Sequence, residues 1–171
     1  TSGTPGNYTH NLWFFEQTAT YMENVIFPNN IHLRTMLSNC DVVTPLTFPE
    51  HQISYPAEIY PYRSALWHKF LVDNYNDSAI VRYQWEEYGL QYATGQNVSL
   101  YPIYNNSIST ATNQIFDLEQ AMSDYGLWRY FTGDRNINGE HFPDGNLYCT
   151  AKTIAQEEVT TIISEMGSAY F

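Results

Sequence analysis

The chain has 171 residues, 16% of them aromatic, and a formal net charge of −11 from 18 acidic against 7 basic side chains. That length buries a core as one domain, 15 tyrosines and 4 tryptophans exclude a disordered acidic segment, and so few Lys and Arg argue against nucleic acid or an anionic membrane as partner. No apolar run is long enough to span a bilayer and no signal-like region is present, so neither a membrane span nor a secretion signal is expected.

Thr1 to Gly6 is small and polar, a tail or loop. From Asn11 to Phe27 apolar residues recur at helical spacing, with Asn11 as N-cap and Pro28-Asn29-Asn30 as the stop. A second helix is expected over Ile31 to Asn39. Asp41 to Pro61, with prolines at 45, 49, 56 and 61, reads as a loop long enough to carry function. Pro61 suits the first turn of a third helix, Tyr62 to Tyr75, which sends Trp67 and Phe70 into the core. Asp77 or Ser78 caps a fourth helix through Tyr88, stopped by Gly89. Leu90 to Ser107 reads as a loop, and Ser109 to Thr132 as one long helix closed by Gly133, with Ile115, Leu118, Met122, Tyr125 and Leu127 to Phe131 on its apolar side. Asp134 to Asn146 is a loop, Thr150 to Glu158 is ambiguous, and Val159 to Ile163 and Ala169 to Phe171 are β-prone. The fold class expected is mainly α, with little β near the C-terminus, in a single domain over residues 1–171.

Within the first helix, Leu12, Glu16, Ala19 and Glu23 share one stripe, because a helix makes a turn about every 3.6 residues. A carboxylate aimed across a small residue is buried only if it is paired, hydrogen-bonded or bound to metal. Glu16 is therefore expected mid-helix, facing a concave, partly open surface; otherwise it is a solvated or Arg-paired carboxylate, with Arg63, Arg82 and Arg129 as partners. The five histidines, His10, His32, His51, His68 and His141, include no pair at the i, i+4 spacing of a helical metal chelate, and H-E-x-x-H is missing. His10, six residues before Glu16, reads as an exposed loop histidine. Glu86 and Glu87 are adjacent, face different ways on a helix and form no catalytic pair. Cys40 and Cys149 fit no C-x-x-C motif and permit one intramolecular disulfide. Sequons beginning at Asn7, Asn76, Asn97 and Asn105, together with few Lys and many Tyr, Asn and Thr, favour an extracellular or otherwise extracytoplasmic location, in which the two cysteines are expected to bond.

The pattern W-x-x-E-x-x-A-x-x-x-E, from Trp13 to Glu23, resembles the glutamate-bearing helix of zinc metallopeptidases of the gluzincin type. Two further segments are similar to secreted bacterial members and follow in the same order. They are Tyr62 to Leu71 followed by Asn74-Tyr75, and Phe116 to Arg135 with its W-x-Y-F-T-G ending at Trp128 to Gly133. The resemblance covers roughly residues 11 to 135 and implies the helical subdomain of a zincin-like hydrolase acting on peptide or protein.

By that resemblance Glu16 is the third zinc ligand, beside two histidines of an upstream H-E-x-x-H helix. Glu23 is an acceptor that orients a metal-bound histidine, and Tyr62 or Tyr60 donates to the substrate oxyanion. The Asp41 to Pro61 loop forms one wall of the cleft. Since H-E-x-x-H is missing here, the chain is expected to be the C-terminal helical part of an incomplete catalytic domain, with zinc in the intact parent and no zinc or activity alone. The rival expectation is a non-catalytic extracellular binding or structural domain whose Tyr, Trp and Asn side chains contact glycan or protein. Glu16 discriminates: a peptidase part leaves it at an open groove beside Tyr62, whereas a binding module buries or pairs it.

Overall fold

A computed structural model describes residues 11–56, 59–95 and 97–153, and within them the chain is mainly helical, with no strand. The helices are α1 Leu12–Ile26, α2 His32–Ser38, α3 Tyr60–Arg63, α4 Leu66–Tyr75, α5 Ile80–Ala93, α6 Leu100–Ala111 and α7 Leu118–Tyr130. Two short 3₁₀ turns follow, at Gly133–Arg135 and Gly145–Leu147. The readings for His10, for the sequon at Asn7 and for the β-prone segments 159–163 and 169–171 lie outside the described residues.

Aromatic side chains build the core. Trp67 on α4 is fully buried and meets the rings of Tyr104 on α6 and Tyr125 on α7 edge-on, at 5.9 and 5.1 Å. Phe70, one turn on, packs on Tyr125 at 5.2 Å and edge-on against Trp128 at 5.4 Å. Rings in these tilted and edge-to-face arrangements add to the stabilisation from area burial alone. α1 turns Phe14 into this core, where it stacks on Tyr88 of α5 at 5.6 Å. The other side of α1 stays outside: Leu12, Ala19, Met22 and Ile26 are all exposed.

Several boundaries differ from the sequence expectation, each for a local reason. Asn11 stands at the N-terminus of α1 but does not cap it; its side chain donates instead to the Val98 carbonyl at 3.2 Å, tying α1 to the segment before α6. The expected third helix is divided at Ser64-Ala65 into α3 and α4. α5 passes through Gly89, which is exposed, because ring contacts of Trp85 and Tyr88 with Phe14 and Phe15 outweigh the roughly 1 kcal/mol helical cost of one glycine. α6 lies where a loop was expected. Its Pro102 occupies the first turn, where backbone N–H groups have no helical partner to lose. The long helix expected over 109–132 is two helices: Asn113 and Gln114 turn to φ of 52° and 64°, and Asp117 restarts the chain by accepting from the Gln120 N–H at 2.9 Å. After α7, Gly133 at φ 57° turns the backbone so close to Thr150 that a Cβ there would run into it.

Candidate functional site

α3 is one turn, and it sends three side chains to three places. Tyr60 points inward: it is fully buried, its hydroxyl lies 3.5 Å from the His51 carbonyl, and burial pushes its phenol well above the ordinary range. Arg63 also turns inward and donates from Nη1 to the Val43 carbonyl at 2.7 Å. Tyr62, between them, faces outward, toward the Glu16 carboxylate of α1. The interaction with that carboxylate is the first cause of its raised phenol pKa, ahead of partial desolvation. Of the two tyrosines the sequence offered, the one brought to Glu16 is therefore Tyr62.

Glu16 sits mid-helix and half-buried on its stripe with exposed Leu12 and Ala19. One turn further along, a hollow of about 390 Å³ opens beside Ala19, lined also by Phe15, Thr18, Met22 and Trp85. The next residue, Gln17, is fully buried and donates to the Ile53 carbonyl at 2.6 Å, fastening the loop that follows α2 onto α1.

That loop is built rather than loose. Arg129 on α7 is fully buried, lies 4.3 Å over the Tyr125 ring, and donates from Nη1 to the carbonyls of Pro45 and Pro49 at 3.0 and 3.3 Å. His51 stacks between Phe48 and Tyr55 at 5.3 and 4.0 Å. On the far side, the Lys152 N–H donates to the Leu46 carbonyl at 2.8 Å. An arginine under a loop does this because its planar fork satisfies carbonyls that burial would otherwise leave without donors.

The remaining candidates are dispersed. Glu23 accepts from His32 Nδ1 at 3.2 Å, joining the end of α1 to the start of α2 at the surface. Arg82 reaches Glu86 at 3.7 Å while Glu87 accepts from Gln91 at 3.2 Å, so the two glutamates diverge. His68 is fully buried in α4, its Nε2 3.1 Å from Gln84 Oε1 on α5, and burial pulls its pKa down to about 3. His141 stacks on Phe131 at 4.7 Å. Among the described residues no three His, Cys, Asp or Glu side chains gather in a group that could hold a metal. Cys40 and Cys149 are bonded, with Cα atoms 5.4 Å apart across 109 residues. No helix among the described residues is long and apolar enough to cross a membrane.

Arg63, Arg82 and Arg129, expected as partners of Glu16, reach the Val43 carbonyl, Glu86 and the Pro45 and Pro49 carbonyls instead, and Gln17 and Arg129 as loop fasteners do not follow from the sequence reading. Their signal was a long polar side chain within an otherwise apolar helix face, which is costly unless it reaches a partner. Comparisons with protein-family models, with curated proteins and with solved structures give no match.

Proposed function

We propose that this chain is the helical, glutamate-supplying part of a zincin-like catalytic domain, in a secreted zinc metallopeptidase of the gluzincin type that cleaves peptide or protein. One observation carries the reading: the outward Tyr62 phenol is close enough to Glu16 for the carboxylate to raise its pKa, which brings together the two residues that the resemblance nominates as oxyanion donor and metal ligand. The exposed apolar side chains around them, Leu12 and Met22, are what a helix face covered by further polypeptide would carry.

In this reading Glu16 is one of at least three protein ligands, the others coming from an H-E-x-x-H helix outside this sequence. Zinc held there would polarise the scissile carbonyl and lower the pKa of bound water to about 7. The Tyr62 hydroxyl carries one proton, and once zinc takes up the Glu16 carboxylate that proton is free to be donated to a developing oxyanion. Tyr60, with its hydroxyl turned into the protein, holds the loop instead. The Arg129 and Gln17 bonds keep the loop on α1 as a fixed wall. The Cys40–Cys149 disulfide supports an extracytoplasmic location, since such bonds persist in oxidising compartments. The test is zinc content and peptide cleavage by this chain and by a chain extended upstream with an H-E-x-x-H segment, each with and without Glu16→Ala.

A further inference from the structure

A second hollow, which Glu16 does not line, supports an inference that does not depend on the peptidase reading. The chain has 7 cationic side chains, and six of them have partners among the described residues. Arg63 and Arg129 donate to loop carbonyls, and Arg135 donates to the Ala151 carbonyl and lies over Tyr130. Arg82 faces Glu86, Lys152 lies over Phe48, and Lys69 bridges Asp73 at 2.9 Å and Asp144 at 3.6 Å. Arg34, on α2, has neither a hydrogen bond nor an ion pair with any described residue. In a chain with 18 acidic side chains this is no shortage of partners.

Arg34 lines a hollow of about 500 Å³ between the end of α1, the turn at 28–31, α2, α4 and the segment leading to Cys149. That volume is within the range of small-molecule sites. Its acids are already engaged: both reach Lys69, and the Tyr148 hydroxyl donates to Asp144 at 2.8 Å. Burial first, and then the Asp144 charge, push the Tyr148 phenol up, while Arg34 pulls it the other way, so the guanidinium acts on the same space. Val25, Ile31 and Leu33 give the hollow an apolar wall.

We propose that this hollow binds a single carboxylate carried on a small apolar body, with the carboxylate on the Arg34 guanidinium and the body against Ile31 and Leu33. A planar fork takes a carboxylate through two parallel hydrogen bonds. One guanidinium balances one negative charge, whereas a phosphate dianion would also meet the repulsion of Asp73 and Asp144. Lys69 lies 2.9 and 3.6 Å from those two acids, which leaves the Arg34 guanidinium the cation in the hollow with no ion pair.

The test is titration of the ¹⁵N-labelled chain with N-acetyl-leucine and, as an uncharged isostere, N-acetyl-leucine amide. The acid is expected to shift the Arg34 Nε–H and the amides of Leu33 and Tyr148 saturably in the millimolar range, more weakly as salt rises, and the amide is expected to do neither. Arg34→Gln is expected to cost roughly tenfold or more in affinity, as loss of a charged hydrogen bond does, with an unchanged melting temperature. Arg34→Lys keeps the charge but not the fork and falls between. A free peptide ending in leucine separates the two sources of such a group: competition with N-acetyl-leucine assigns chain ends, and none assigns free acids. Equal binding of acid and amide, undiminished binding by Arg34→Gln, or no saturable shift with either acid overturns the proposal.

Discussion

The Tyr62 phenol, on the short α3 turn, lies toward the Glu16 carboxylate in the middle of α1, and that carboxylate raises its pKa. An acceptor carboxylate stabilises the phenol against the phenolate, which is why Tyr62 titrates above the ordinary value near 10. In Glu16→Gln the charged acceptor and the negative charge both vanish, and Tyr62 should titrate lower, toward that ordinary value. NMR of ¹³C-labelled tyrosine across alkaline pH measures it, with Tyr62→Phe assigning the signal. A Tyr62 titration that does not move in Glu16→Gln would contradict the contact.

The disulfide closes 109 residues and ties the end of α2 to the segment after α7. The chain-entropy estimate for a loop of that size is about 4–5 kcal/mol. Replacing Cys40 and Cys149 together by serine should lower unfolding free energy by that order in urea denaturation. Hydrogen exchange should rise first around Cys149, whose N–H donates to the Leu37 carbonyl and whose carbonyl accepts from Thr132 Oγ1. A loss below about 1 kcal/mol would mean that those backbone bonds, and not the covalent link, hold the segment.

His68 gives the fold an acid limit. Folded, it stays neutral until about pH 3, while in the unfolded chain it protonates near 6.5. Its contribution is thus fully present above 6.5, and the unfolded state gains it as pH falls between 6.5 and 3, at up to about 1.4 kcal/mol per pH unit. Between pH 6.5 and 5 this should cost about 2 kcal/mol. Urea midpoints at several pH values check it against His68→Gln, which should flatten that part of the profile. An identical profile in the variant would place the acid sensitivity elsewhere.

Much of the helical content was legible because its causes are local. The α1 stripe, the Pro28 stop, and Trp67 and Phe70 in the core follow from apolar spacing and the proline alone. What misled was residue type without its neighbours. Pro102 beside Asn105, Asn106 and Ser107 looks like a loop until Leu100, Ile103 and Tyr104 are seen buried on one side of α6. Gly89 looks like a stop until Trp85 and Tyr88 are seen anchored on Phe14 and Phe15. At the site, the mid-helix place of Glu16 came from periodicity, while the hollow beside Ala19 is lined by Phe15, Thr18, Met22 and Trp85 and not by Glu16. Which of Tyr60 and Tyr62 would lie toward Glu16 did not come from periodicity, because that depends on a one-turn α3 and the break at Ser64-Ala65, and the carbonyls reached by Arg129 are 80 residues or more away.

The most direct test of the central claim is zinc analysis with casein cleavage on four preparations: this chain, the chain extended upstream by an H-E-x-x-H segment, and each with Glu16→Ala. The account predicts no stoichiometric zinc and no cleavage for the short chain. It predicts one zinc and cleavage for the extended chain, and loss of both on Glu16→Ala, because removing one of at least three protein ligands opens the site. Stoichiometric zinc with Glu16-dependent cleavage by the short chain, or zinc in the extended chain that is indifferent to Glu16→Ala, would contradict it.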